Sequence, residues 1–210
     1  MHEYSLYAKS LIGMFAILNP LGVIPIFLSM RGDRTDKECR SIAQMTALSV
    51  AVILILSIWC GTAILQFFGI GIPAFRTSGG LLILMMAMSM LSAKPSHARQ
   101  SPGEAEEASL KDNIAVVPLA IPLLAGPGAI SLAISDAHQA TGLTDKLILS
   151  AGVVLIALLV WLALRLASPI GALLGTTGLN VATRIMGLLL AAIGVQMLVS
   201  GLLKLMPGLA

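Results

Sequence analysis

Residues 6–30 read LYAKSLIGMFAILNPLGVIPIFLSM, with Lys9 as their single charge. A run of this kind exceeds the roughly 20 residues needed to cross about 30 Å of hydrocarbon, and it predicts a membrane-spanning helix. Proline inside a helix removes a backbone donor and clashes with the carbonyl one turn earlier. Pro20, with Gly22 and Pro25 behind it, is therefore expected to interrupt the span midway. Polar and helix-breaking residues in the run argue for a retained first span rather than a cleaved signal peptide. Backbone groups freed at membrane depth are tolerated only where they face protein or a water-filled cavity, so the interruption is expected to point inward.

A second stretch of the same kind lies downstream. Residues 113–135 read NIAVVPLAIPLLAGPGAISLAIS, where Pro118 and Pro122 precede Gly126-Pro127-Gly128. Uncharged runs place four further spans near Ser41 to Phe68, Thr77 to Ser92, Lys146 to Ala167 and Thr183 to Leu205, giving six in all. Between the last two, residues 168–182 hold Pro169, Gly171, Gly175 and Gly178 and are expected to form a loop with at most a short interfacial helix. Residues 93–112 carry prolines and mixed charge without apolar periodicity and read as a polar linker.

The two stretches align. Asn19-Pro20-Leu21-Gly22-Val23 matches Gly126-Pro127-Gly128-Ala129-Ile130 at a shift of 107 positions, and Arg76-Thr77-Ser78-Gly79-Gly80 matches Arg184-Ile185-Met186-Gly187-Leu188 at 108. Each half holds three spans, an odd number, so the second half enters the membrane from the opposite face. The expected fold is thus an all-α integral membrane protein of six helices in two inverted three-helix repeats, residues 1–92 and 113–210, with helices 1 and 4 broken. Nine of the 13 Lys and Arg fall on one side of this arrangement. That side is expected to be cytoplasmic, with both termini periplasmic.

Composition narrows the function. Hydrophobic residues make up 57% of the 210 positions and charged ones 11%, against roughly 25% charged in a soluble domain. The net charge of +3 is scattered through short interhelical segments, which makes nucleic acid a poor partner. Cys39 and Cys60, 21 positions apart on one expected helix, are about 30 Å apart and read as free thiols. Met86 and Met90 share a helix face, but methionine is an ordinary core filler, so no metal site is expected. Ser78 and His138 are expected to lie apart, and no enzyme signature emerges.

A half-helix that starts after a break offers unpaired N–H groups and a positive dipole end suited to a carboxylate, while carbonyls freed before it suit an ammonium group. The two breaks together fit a small zwitterionic solute. Asn19, Pro20 and Gly22 at one break and Gly126, Pro127, Gly128 and Ser131 at the other are the candidate binding residues, with Gln196 a further polar group in apolar surroundings. Arg76 and Arg184 are each expected to open a helix, the wrong dipole end for a cation. Anion capture or gating would explain this, as would snorkelling to lipid phosphate, the stronger of the two readings. No Asp or Glu falls well inside an expected span, which speaks against a carboxylate proton relay. Sodium or proton coupling and simple facilitated passage stay open, no cofactor is expected, and an oligomer is compatible with the sequence.

The Asn-Pro-x-Gly element at 19–22, the Phe-Arg-Thr-Ser-Gly-Gly element at 75–80, the Ala-Gly-Pro-Gly-Ala-Ile element at 125–130 and Thr-Arg-Ile-Met-Gly-Leu at 183–188 resemble the MarC family of bacterial and archaeal membrane proteins, and most of all its enterobacterial YchE-like branch. The resemblance covers nearly the whole chain. It implies a six-span inner-membrane protein and a transporter of small neutral amino acids of the glycine and alanine type. An exporter of another small metabolite and a non-transporting scaffold or regulatory protein are the rival readings.

Overall fold

The computed structural model describes residues 2–31, 34–92, 124–140, 142–206 and 208. All regular structure among them is helical: α1 His2–Leu18, α2 Pro20–Arg31, α3 Asp36–Phe67, α4 Ile72–Leu91, α5 Pro127–Gln139, α6 Leu143–Arg165 and α7 Ala167–Leu205. Five stretches are long and apolar enough to cross a membrane: Tyr7–Ser29, which joins most of α1 to most of α2, then α3, α4, α6 and α7. The protein is an integral membrane protein. The polar linker at 93–112 and the first half of the expected fourth span, up to residue 123, lie outside the described residues.

Local chemistry sets the helix ends. Thr35 caps α3 in a reciprocal capping box with Glu38, whose carboxylate accepts from the Thr35 backbone N–H at 2.7 Å. Gly69, at φ +67°, ends the α3 side of a tight turn, and α4 starts at Ile72 with Pro73 in its first turn. The break in the first span is a single residue. Asn19 adopts φ +41°, its N–H still bonds back to Phe15 O, and Pro20 opens α2. Proline here begins a helix instead of interrupting one, because the first helical position has no intrahelical use for its N–H. Pro25, expected to add to the break, lies within an uninterrupted α2.

Three other expectations change. Residues 168–182 are helical, not a loop. Pro169 falls in the first turn of α7, where its missing donor has no intrahelical partner, and Gly171 packs on Leu28 of α2. Only Gly175, at φ +60°, leaves the helical region and kinks α7. Helix 4 does not stop at Ser135: α5 continues to Gln139, so Asp136 and His138 are helical. Arg76 occupies the second turn of α4, and Arg184 lies within α7, so neither opens a helix.

Packing puts the broken span at the centre. Within Tyr7–Ser29, 56% of the span is buried inside the protein, against 28–39% for the other four. Leu48, Leu56, Leu155 and Leu158 of α3 and α6 are exposed, as expected of lipid-facing helices. α4 and α7 pack backbone to backbone. Gly187, Gly194 and Gly201 recur every seven positions on α7, and a Cβ on Gly194 would lie 2.9 Å from Leu84 N and 3.0 Å from Gly80 O. Small residues permit such an approach, which drives helix association where burial from water cannot. α1 and α5 run antiparallel, with Ser10 against Asp136, Gly13 against Leu132 and Ile17 against Gly128.

Candidate functional site

The register between α1 and α5 brings Asn19 to the level of Gly126, so the starts of α2 and α5 meet at one depth and run in opposite directions. Both starts are buried within protein: Asn19 is fully enclosed and Leu124, Ala125 and Gly126 are buried beside it. Asn19 caps α2, its Oδ1 accepting from Gly22 N–H at 3.3 Å. Its Nδ2 is buried without a hydrogen-bond partner among the described residues. A Cβ on Gly22 would collide with that Nδ2 and lie 3.0 Å from Thr183 Oγ1, so Gly22 is what makes room for the Asn19 side chain. Gly128 packs against Met86, Ile83 and Ile17.

Beyond this junction, towards the α1 N-terminus, the bundle opens into a cavity of about 440 Å³ walled by α1, α4, α5 and α7. Its volume lies within the range of small-molecule sites. α5 contributes Leu132, Ser135, Asp136 and Gln139, spaced so that one helix face is presented. α1 contributes Lys9, Ser10 and Gly13, α4 contributes Arg76, and α7 contributes Gln196 and Ser200 among apolar neighbours. Asp136 is only 9% exposed, and the Ser10 hydroxyl donates to its Oδ2 at 2.5 Å. Arg76 turns a buried Nε into the protein without a hydrogen-bond partner among the described residues. On the far side of Ser10 and Asp136 lies a void of about 30 Å³ bordered by Tyr7, whose hydroxyl donates to Asp145 at 2.8 Å.

The candidate residues therefore divide. Asn19, Pro20, Gly22, Gly126, Pro127 and Gly128 form the packed junction, and Arg76 and Gln196 face the cavity. Ser131 sits on the other flank of α5, its Oγ 3.0 Å from where a Cβ on Gly79 would lie. Arg184 is exposed and does not line the cavity with Arg76. At 1.5 Å per residue, the 12 positions from Arg184 to Gln196 put it about 18 Å away along α7. The sequence reading missed Asp136, Ser10 and Lys9. Ending helix 4 at Ser135, four residues short of Gln139, hid the polar stripe Ser135, Asp136 and Gln139, whose i, i+1 and i+4 spacing was the available signal. Asp136 is a buried carboxylate in the last turn of α5, just beyond the expected span. Ser78, considered as a nucleophile, donates to Phe75 O at 3.0 Å.

The model of the MarC family of integral membrane proteins matches residues 4–206. The UPF0056 membrane protein YhcE of Escherichia coli is 43% identical over 208 residues, covering 99% of this chain and 96% of that one. A UPF0056 membrane protein of Methanocaldococcus jannaschii is 36% identical, covering 95% and 96%, and one of Aquifex aeolicus is 33% identical, covering 98% and 97%. No solved structure matches the chain. This chain belongs to the MarC family of integral membrane proteins.

Proposed function

We propose that the protein is a secondary transporter of a small zwitterionic solute, an amino acid of the glycine or alanine type, and that the cavity around Arg76 and Asp136 is its solute vestibule. The observation that carries this reading is the pairing of opposite charges in the lining of one open cavity. Arg76 holds a buried, unpartnered Nε, and Asp136 is a buried carboxylate on the facing helix. A guanidinium N–H left unpaired away from water is costly, and a solute carboxylate would satisfy it. The solute ammonium would take Asp136, with Gln196 and Ser200 completing the polar wall.

The inverted-repeat reading gains support from element boundaries. Pro20 and Pro127, each opening a helix, are 107 positions apart, as are Asp36 and Leu143, the first residues of α3 and α6. Gly69 and Gly175, the two glycines with positive φ among the described residues, are 106 apart. In such an architecture the vestibule lies on one side of the junction at Asn19 and Gly126. Solute passage then requires the two repeats to rock about that junction and open the opposite side. We place the protein in the bacterial inner membrane with both termini periplasmic, which makes the vestibule periplasmic, and we assign it no enzymatic activity.

The test is uptake of labelled glycine and alanine into proteoliposomes under sodium, proton or no gradient. Wild type is expected to accumulate label, and Arg76→Gln and Asp136→Asn to lose it while remaining folded. Absence of uptake under every gradient would favour a scaffold with no cargo.

A further inference from the structure

The membrane face remote from the polar cavity holds a second charged cavity of about 360 Å³. Arg31 is the last residue of α2, Arg40 lies in the second turn of α3 and Arg165 is the last residue of α6, and all three guanidiniums reach this one space. Asp36 is the one carboxylate lining it among the described residues, and it is held by Arg31 in an ion pair. Arg31 also donates through Nη1 to Ser168 Oγ at 2.9 Å, so both arms of its fork are fixed. Arg165 is stacked over Trp161 at 5.1 Å. The buried Phe27 and Leu164 border its inner end, but most of the surface it presents is polar.

Three guanidiniums against one carboxylate leave a surplus of positive charge that the lining does not neutralise. Arg31 and Arg165 stand at helix C-termini, where a cation offsets the dipole, whereas Arg40, in the second turn of α3, is too far along the helix for the dipole to account for its placement. Arginine forks match phosphate oxygens, and a cationic site at the membrane surface suits an anionic headgroup. We infer that this cavity is a phosphate-binding site, formed by Arg31, Arg40 and Arg165, that takes the phosphodiester of an anionic phospholipid or a free phosphate.

The test uses the full chain in dodecyl maltoside, titrated separately with phosphatidylglycerol, diacylglycerol and inorganic phosphate. Bound adducts are counted by native mass spectrometry, and Tm is followed in parallel. Phosphatidylglycerol is expected to bind and raise Tm where diacylglycerol does not. Arg40→Gln and Arg165→Gln should each lower the apparent affinity about fivefold. Lys37→Gln, on the same helix but outside the cavity lining, should leave it unchanged. Arg40→Lys keeps the charge and covers the case in which Arg40→Gln fails to fold; it is expected to lose part of the affinity with the fork. The same mutational pattern with inorganic phosphate assigns the site to a free anion, and its confinement to phosphatidylglycerol assigns it to lipid. Equal binding of diacylglycerol, affinity unaltered by the Arg40 and Arg165 variants, or an equal loss in Lys37→Gln overturns the proposal.

Discussion

The hydroxyl of Ser10 donates to Oδ2 of Asp136 at 2.5 Å, joining α1 to α5 across 126 positions of sequence. One bond thus ties the first half of the central broken span to α5, and it does so in the wall of the polar cavity. Removing the hydroxyl leaves a buried carboxylate short of a donor, at a cost of about 2 kcal/mol. Ser10→Ala is expected to lower Tm by roughly 4–8 °C. Asp136→Asn should relieve much of that penalty, since an amide without a donor costs less than a charge. A double-mutant cycle read by thermal unfolding should therefore show a coupling of about 1–2 kcal/mol between the two. Additive effects would mean that the bond contributes nothing to docking α1 on α5.

Arg76 and Arg184 occupy matching sequence motifs but different surroundings. Arg76 lines the cavity with its Nε buried, and Arg184 is exposed on α7. Charge-assisted hydrogen bonds are worth about 1.5–3 kcal/mol, so Arg76→Gln should raise KM for uptake about 10- to 100-fold. Arg184→Gln should change it less than twofold. Equal effects of the two substitutions, measured as initial uptake rates over a range of glycine concentrations, would remove Arg76 from the solute site.

Those two arginines show how far sequence reaches. Their motifs match in sequence, but their environments differ through tertiary packing that no spacing rule records. The same division runs through the rest of the chain. The breaks at Pro20 and Pro127 were legible, since proline and glycine act locally, and the burial of Asn19 followed from the cost of exposing backbone to lipid. The helicity of residues 168–182 was not legible. Pro169 is harmless only because it falls in a first turn, and Gly171 only because α2 lies against it. Asp136 was hidden because the expected helix ended at Ser135, four residues short of Gln139, and helix ends are the part of a helix that sequence records least well.

Backbone contact between α4 and α7 makes their glycines unequal to others. A Cβ on Gly80 would lie 2.5 Å from Leu198 N and 2.7 Å from Gly194 O, with backbone atoms that cannot turn aside. Gly80→Val is expected to cost more than about 3 kcal/mol, seen as loss of monodisperse protein after detergent extraction. Gly71→Ala is the comparison, because its nearest neighbour is Pro73 Cδ at 3.8 Å, an ordinary contact. It should extract like wild type. If Gly80→Val did so too, the two helices would not be held at the distance that the glycines permit.

Asn19 and Gly22 allow fold and function to be separated at the junction. Asn19 sits at φ +41°, caps α2 through Oδ1 and leaves Nδ2 buried and unpartnered. Alanine there would lose the cap, worth about 1 kcal/mol, and would strain a left-handed backbone by a similar amount. Glycine accepts the backbone, replaces the cap at a cost of a few tenths of a kcal/mol and removes the orphan donor. Asn19→Gly is therefore expected to be at least about 1 kcal/mol more stable than Asn19→Ala. Gly22→Ala should be destabilising on its own, because its Cβ meets Asn19 Nδ2, and less so in the Asn19→Gly background, where that atom is gone. Uptake supplies the second readout. If Nδ2 is kept unpaired for the solute as it passes the junction, Asn19→Gly will fold as well as wild type yet transport poorly. Wild-type uptake in a stable Asn19→Gly protein would reduce Asn19 to a helix cap and leave the solute to the residues of the vestibule.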